Sequence, residues 1–82
     1  MSKFWYAVMT NDNDDWGYGS NELNKAKQMT KELEDSNAYI AVIDTSDNDP
    51  ICVAIIYQYE FDSYGNEFDE TTYNVCVTYR SF

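Results

Sequence analysis

The stretch Asn11 to Leu23, NDNDDWGYGSNEL, sets carboxylates and amides at close spacing, as a calcium loop would. An EF-hand loop needs oxygen donors at positions 1, 3 and 5, glycine at 6 for the sharp turn, and a bidentate glutamate at 12. Counting from Asp12 places Asp14 and Gly17 correctly but puts Trp16 and Leu23 on ligand positions. Counting from Asn11 places Asn13, Asp15 and Glu22 correctly but puts Trp16 where glycine is required. Neither register completes a ligand set, so the sequence predicts no structured metal site. At most, Asp12, Asp14 and Asp15 hold a divalent ion loosely. The stretch reads better as a polar turn with Gly17 and Gly19 as conformationally free joints, leading into a helix capped by Ser20 or Asn21.

Other chemistry is scarce. The chain has no histidine, which removes the usual base near neutral pH and with it Ser-His and Cys-His nucleophile pairs. Gly17, Gly19 and Gly65 form no phosphate-binding pattern. Cys52 and Cys76 are isolated and make no zinc site without histidine partners. Carboxylates are so widespread that no acid-base pair stands out. The expectation is a protein without catalytic residues, metal or cofactor, and not an enzyme.

The elements that must carry these residues form a single domain over residues 1–82, since 44% of the chain is hydrophobic despite a net charge of −10. The apolar run Phe4 to Met9 is too short for the core of a signal peptide, and no stretch approaches a membrane span. A cytoplasmic protein with reduced thiols is therefore expected. The first strand is predicted over Lys3 to Thr10, rich in aromatic and β-branched residues. A helix over Asn21 to Asp35 follows, with Leu23, Ala26, Met29, Thr30 and Leu33 on one face. Strands over Ala38 to Asp44, Ile51 to Phe61 and Thr71 to Arg80 complete a β-α-β-β-β order. The predicted fold is α+β, a two-layer sandwich of one helix packed on a four-stranded, mainly antiparallel sheet, with its first two strands parallel. Alternation puts the odd positions of Ile51 to Phe61 beneath the helix and Cys52 and Cys76 on the outer face.

A right-handed β-α-β crossover then sorts the acids by end of the sheet. One pole collects Asp12, Asp14, Asp15, Glu22, Asp44, Asp47 and Asp49. The other collects Glu32, Glu34, Asp35, Glu60, Asp62, Glu67, Asp69 and Glu70. Lys25, Lys27 and Lys31 all lie on the helix, leaving only Lys3 and Arg80 elsewhere. Glu32, Glu34 and Asp35 sit at a helix C-terminus, where the macrodipole disfavours anions by about 0.3–1 kcal/mol each. Stability does not call for such clustering, so a charge-matched partner is expected. The competing account is that the acids keep a tyrosine-rich chain soluble and block its sheet edges.

Carboxylates interleaved with flat rings present what a nucleic acid presents, and they fit the basic channel of a nucleic-acid-binding protein. In size, acidity and α/β character over its whole length, the chain resembles the small anti-CRISPR proteins of phages and mobile elements. Several of those mimic DNA in the cleft of a CRISPR effector nuclease. The resemblance carries no shared motif, so it assigns no residue. It implies a non-enzymatic inhibitor of a basic, nucleic-acid-binding host protein, with no direct contact to nucleic acid or membrane. The residues expected to bind that partner are Glu34, Asp35, Glu60, Asp62, Tyr64, Glu67, Phe68, Asp69 and Glu70. Here Gly65 and Asn66 form a flexible tip and Tyr64 packs against the cleft wall. The alternative is a structural module, a homodimer formed through an uncovered sheet face.

Overall fold

The computed structural model describes residues 4–12, 15–46, 48–65 and 68. Strands β1 (Phe4–Met9), β2 (Gly19–Ser20), β3 (Tyr39–Asp44) and β4 (Ile51–Tyr57) form one sheet in the order β2-β1-β3-β4. Helix α1 (Leu23–Glu32) packs on one face, and a 3-10 helix (Gln58–Ser63) follows β4. The fold is therefore α+β, one helix on a four-stranded antiparallel sheet. Its fourth described strand is the two-residue β2; the expected strand over Thr71 to Arg80 lies outside the described residues.

Strand direction corrects the expected β-α-β crossover. β1 and β3 are antiparallel, with Phe4 opposite Asp44 and Met9 opposite Tyr39. The cause is the loop that leaves β1 at Met9. It returns as β2, antiparallel to β1 with Ala7 opposite Gly19 and Tyr6 opposite Ser20, and Val8 N–H donates to Tyr18 O at 2.7 Å. The chain has thus already come back along β1 before α1 begins. The helix climbs, and β3 must descend. Gly19 makes the return feasible by close approach rather than by unusual backbone angles. A Cβ there would stand 2.2 Å from Tyr6 O and 2.8 Å from the Ala7 Cα, and no described glycine has positive φ.

Helix α1 is shorter than expected and starts without a side-chain cap, at Glu22 rather than Ser20 or Asn21. Ser20 Oγ does accept the Glu22 N–H at 3.1 Å, closing a local turn. Leu23, Ala26 and Thr30 are buried as the periodicity predicts, with Met29 half-buried, whereas Leu33 lies past the helix end and is exposed. The Thr30 hydroxyl is buried without cost because it donates to Ala26 O at 2.8 Å.

Under the helix sit Phe4, Tyr6 and Val8 of β1, Ile40 and Val42 of β3, and Val53, Ala54 and Ile56 of β4. That set breaks the expected alternation of β4. Val42 opposes Ala54, but the next residue, Ile43, opposes Cys52, so a bulge at Val53 shifts the register. Below the bulge Cys52 faces outward as expected, packed against the outer-face cluster of Ala7, Met9, Ala41 and Ile43. Above it the even residues Ala54 and Ile56 turn to the helix and Tyr57 turns away. The outer face is covered within the single chain: Ala7, Met9, Ala41 and Ile43 are all buried. Among the described residues no helix is long and apolar enough to cross a membrane.

Candidate partner-binding site

The strand directions define two ends of the sheet. At the Phe4 end lie Asp44 closing β3, Ile51 opening β4, and the turn between them; at the Met9 end lie Tyr39 and Tyr57. Helix α1 begins after Ser20 and delivers its C-terminus to the Met9 end, where Glu34 and Asp35 lead into β3. The 3-10 helix with Glu60 and Asp62 starts from Tyr57 at the same end.

This geometry corrects the expected poles. Asp12 and Asp15 belong to the loop leaving Met9, and Asp12 N–H donates to Thr10 Oγ1 at 3.2 Å. They join the helix C-terminus instead of opposing it. Glu22, Asp44 and Asp49 stay at the Phe4 end, and Asp14 and Asp47 lie outside the described residues.

Local partners separate the acids. Glu22 pairs with Lys25 at 3.3 Å, and Asp44 Oδ1 accepts both the N–H and the hydroxyl of Ser46 at 2.9 and 2.6 Å. Asp15 Oδ1 accepts the Gly17 N–H at 2.9 Å, so its carboxylate organises the polar turn expected in this stretch. Among the described residues no group of three metal-ligating side chains converges. Glu34 is exposed and holds the left-handed backbone region at φ 55°, with its N–H on Lys31 O at 3.2 Å.

The predicted partner-binding residues divide into three groups. Glu34, Asp35, Glu60 and Asp62 gather at the Met9 end. Asp35 Oδ1 also accepts the Asn37 N–H at 3.0 Å, and Glu60 Oε1 accepts the Tyr57 N–H at 3.0 Å, bracing the start of the 3-10 helix. Phe68 belongs to the core, which corrects its assignment to a partner surface. It is 4% exposed, meets Phe4 edge-on at 5.4 Å, and its N–H donates to the Tyr6 hydroxyl at 2.9 Å. Tyr64 stacks on Phe68 at 5.9 Å and packs half-buried against the same core, so it faces inward more than a cleft-wall contact would. Glu67, Asp69 and Glu70 lie outside the described residues.

One cation reaches this segment that the sequence did not place there. Lys27 Nζ donates to Tyr64 O at 2.7 Å and Gly65 O at 3.1 Å, tethering the chain after the 3-10 helix to α1. Partial desolvation pulls its pKa below the usual lysine value, while nearby Asp62 works in the opposite sense. At Cys52 burial pushes the thiol pKa up, so it stays protonated and unreactive near neutrality.

Sequence reasoning missed a ring cluster at the Met9 end. Tyr57 and Tyr59 are stacked, 5.7 Å between centroids and 2° between planes. Tyr39, the cross-strand partner of Tyr57, tilts against it at 5.8 Å. Alternation had placed Tyr57 and Tyr59 beneath the helix; the bulge and the end of the strand at Tyr57 put them outside. The available signal was Tyr-Gln-Tyr-Glu closing an apolar run, where two tyrosines flank a polar residue that a core strand would not bury. Compared with protein-family models, curated proteins and solved structures, the chain matches none.

Proposed function

We propose that the chain is a non-enzymatic inhibitor of a basic nucleic-acid-binding protein, with carboxylates and tyrosine rings standing in for phosphates and bases. The observation that carries this reading is the composition of the Met9 end. Asp12, Glu34, Asp35, Glu60 and Asp62 collect there beside exposed, stacked tyrosines, and among the described residues none of these acids makes an ion pair within 4 Å. Two of these positions oppose stability. Glu34 takes a backbone region that favours glycine, and Glu34 and Asp35 follow a helix C-terminus. The net negative charge of that end, which Lys31 in the last turn of α1 only partly offsets, serves long-range steering toward a basic surface.

Self-association through a bare sheet face has less support, because Ala7, Met9, Ala41 and Ile43 on that face are already buried in the lone chain. The resemblance to anti-CRISPR proteins makes a CRISPR effector nuclease the first target to try. The immobilised chain is challenged with a panel of such nucleases, and with bacterial lysate, at about 50 and 200 mM salt. Charge mimicry requires capture that falls steeply between the two, as DNA binding does, and release by double-stranded DNA. Capture that is indifferent to salt and to DNA refutes it.

A further inference from the structure

Beside the Tyr57–Tyr59 stack opens a pocket of about 470 Å³, lined by Ser36, Asn37, Ala38, Tyr57, Gln58 and Tyr59. Tyr59 is 84% exposed, a place where a ring adds little to folding. Gln58 is fixed: its Nε2 donates to Asp35 O at 2.7 Å and to Ala38 O at 2.9 Å. With both amide hydrogens committed, the side-chain carbonyl remains as an acceptor. The lining carries no charge of its own, but Glu34 and Asp35 precede it in the chain and Glu60 follows it. Of the helix lysines, Lys25 and Lys27 are turned elsewhere, to Glu22 and to the Tyr64 and Gly65 carbonyls, and Lys31 in the last turn of α1 is not among the lining residues.

We infer that this pocket seats an arginine side chain of the basic partner. The guanidinium lies flat on Tyr59 and directs N–H groups to the Gln58 carbonyl, drawn there by the charge of the acids that flank the lining in the chain. The inference rests on the function proposed above and names the group recognised. Arginine fits because its cation is planar and weakly hydrated, so it stacks on a ring while donating in its own plane. A lysine ammonium is a strongly hydrated point charge and gains from the carboxylates but little from the ring. A nucleic-acid base meets the rings but brings a phosphate into a negative field. The pocket is therefore selective by both shape and charge.

The test uses the full chain and two peptide probes, hexa-arginine amide and hexa-lysine amide, at matched ionic strength. Binding is followed by NMR on the tyrosine ring resonances. Hexa-arginine should bind more tightly, shift the Tyr57 and Tyr59 signals, and lose roughly two- to five-fold in affinity in Tyr59→Ala. Hexa-lysine should be indifferent to that substitution, and Tyr59→Phe should behave as the parent chain. The exposure of Tyr59 keeps these variants folded. Equal, salt-sensitive binding of both peptides with no effect of Tyr59→Ala overturns the arginine pocket and leaves charge mimicry standing. Binding of neither peptide at low salt overturns both.

Discussion

The two ends of the sheet differ most at one acid, Glu34, and in the exposed rings of the Tyr57–Tyr59 stack, which only the Met9 end carries. At the Phe4 end the acids serve the fold: Glu22 pairs with Lys25 next to the start of α1, and Asp44 ties down Ser46 in the turn after β3. At the Met9 end Glu34 occupies a strained backbone position past a helix C-terminus, and the exposed Tyr57–Tyr59 stack lies at the same end of the sheet. Asp15, Asp35 and Glu60 at the Met9 end also hold backbone N–H groups, so the acid that costs stability there is Glu34, at positive φ past a helix C-terminus.

The largest test contrasts a buried ring with an exposed one. Phe68→Ala removes a buried ring that meets Phe4 and whose backbone holds the Tyr6 hydroxyl, and should cost about 3–5 kcal/mol. Tyr59→Ala should change stability by less than about 0.5 kcal/mol. Urea unfolding of both variants checks the contrast. Similar losses in the two would mean that Tyr59 is a fold residue and the distinction is false.

Next in size is the hinge that creates the asymmetry. Gly19→Ala drives a Cβ into Tyr6 O and should cost about 1–3 kcal/mol. Because β2 brings the loop back along β1, amide exchange at Val8, which donates to Tyr18 O, should speed up as well. Unchanged exchange there would sever the link between Gly19 and the return of the loop.

Why these features escaped the sequence follows from their physics. The strands over Phe4–Met9, Tyr39–Asp44 and Ile51–Tyr57 were legible because apolar runs of that length read as strands wherever turn residues bound them. The buried face of α1 was legible through Leu23, Ala26 and Thr30 at helical spacing. Strand direction was not. It turns on Gly19–Ser20, two residues inside a polar loop with no alternation to announce pairing. The bulge at Val53 was hidden for a related reason: Ile51 to Ile56 is apolar throughout, so a slip of register leaves the pattern unchanged. Of the site, the acids at the helix C-terminus and at Glu60 and Asp62 could be read. The rings were misassigned, Phe68 outward and Tyr59 inward, because alternation fails once β4 gives way to the 3-10 helix.

A smaller test exchanges stability for binding. Glu34→Gly relieves the positive φ and removes an anion from the helix C-terminus, and should stabilise by about 1 kcal/mol. Glu22→Ala at the opposite end removes an exposed i,i+3 ion pair and should destabilise by about 0.2–0.5 kcal/mol. Only the first should weaken capture of a basic partner. A Glu34→Gly variant that is more stable and binds as before would show that this acid is not part of the binding end.

The smallest effect concerns Lys27, the described cation that reaches the 58–65 segment. Desolvation lowers its pKa in the folded state from 10.5, with Asp62 opposing. A lowered folded pKa means the folded chain gives up this proton before the unfolded chain does. Folding is therefore favoured progressively as pH rises through the window just below 10.5 and up to it. Tyrosine and cysteine ionisation overlaps that window, so the comparison is with Lys27→Arg, which shares those groups but does not titrate there. Between pH 8.5 and 10.5 the parent chain should gain on Lys27→Arg in urea midpoint, by a fraction of the total change. A loss relative to Lys27→Arg would reverse the sign. The ammonium's attraction to Asp62 and to the Tyr64 and Gly65 carbonyls would then outweigh its desolvation, and Lys27 would count as a charge that neutralises the acidic end.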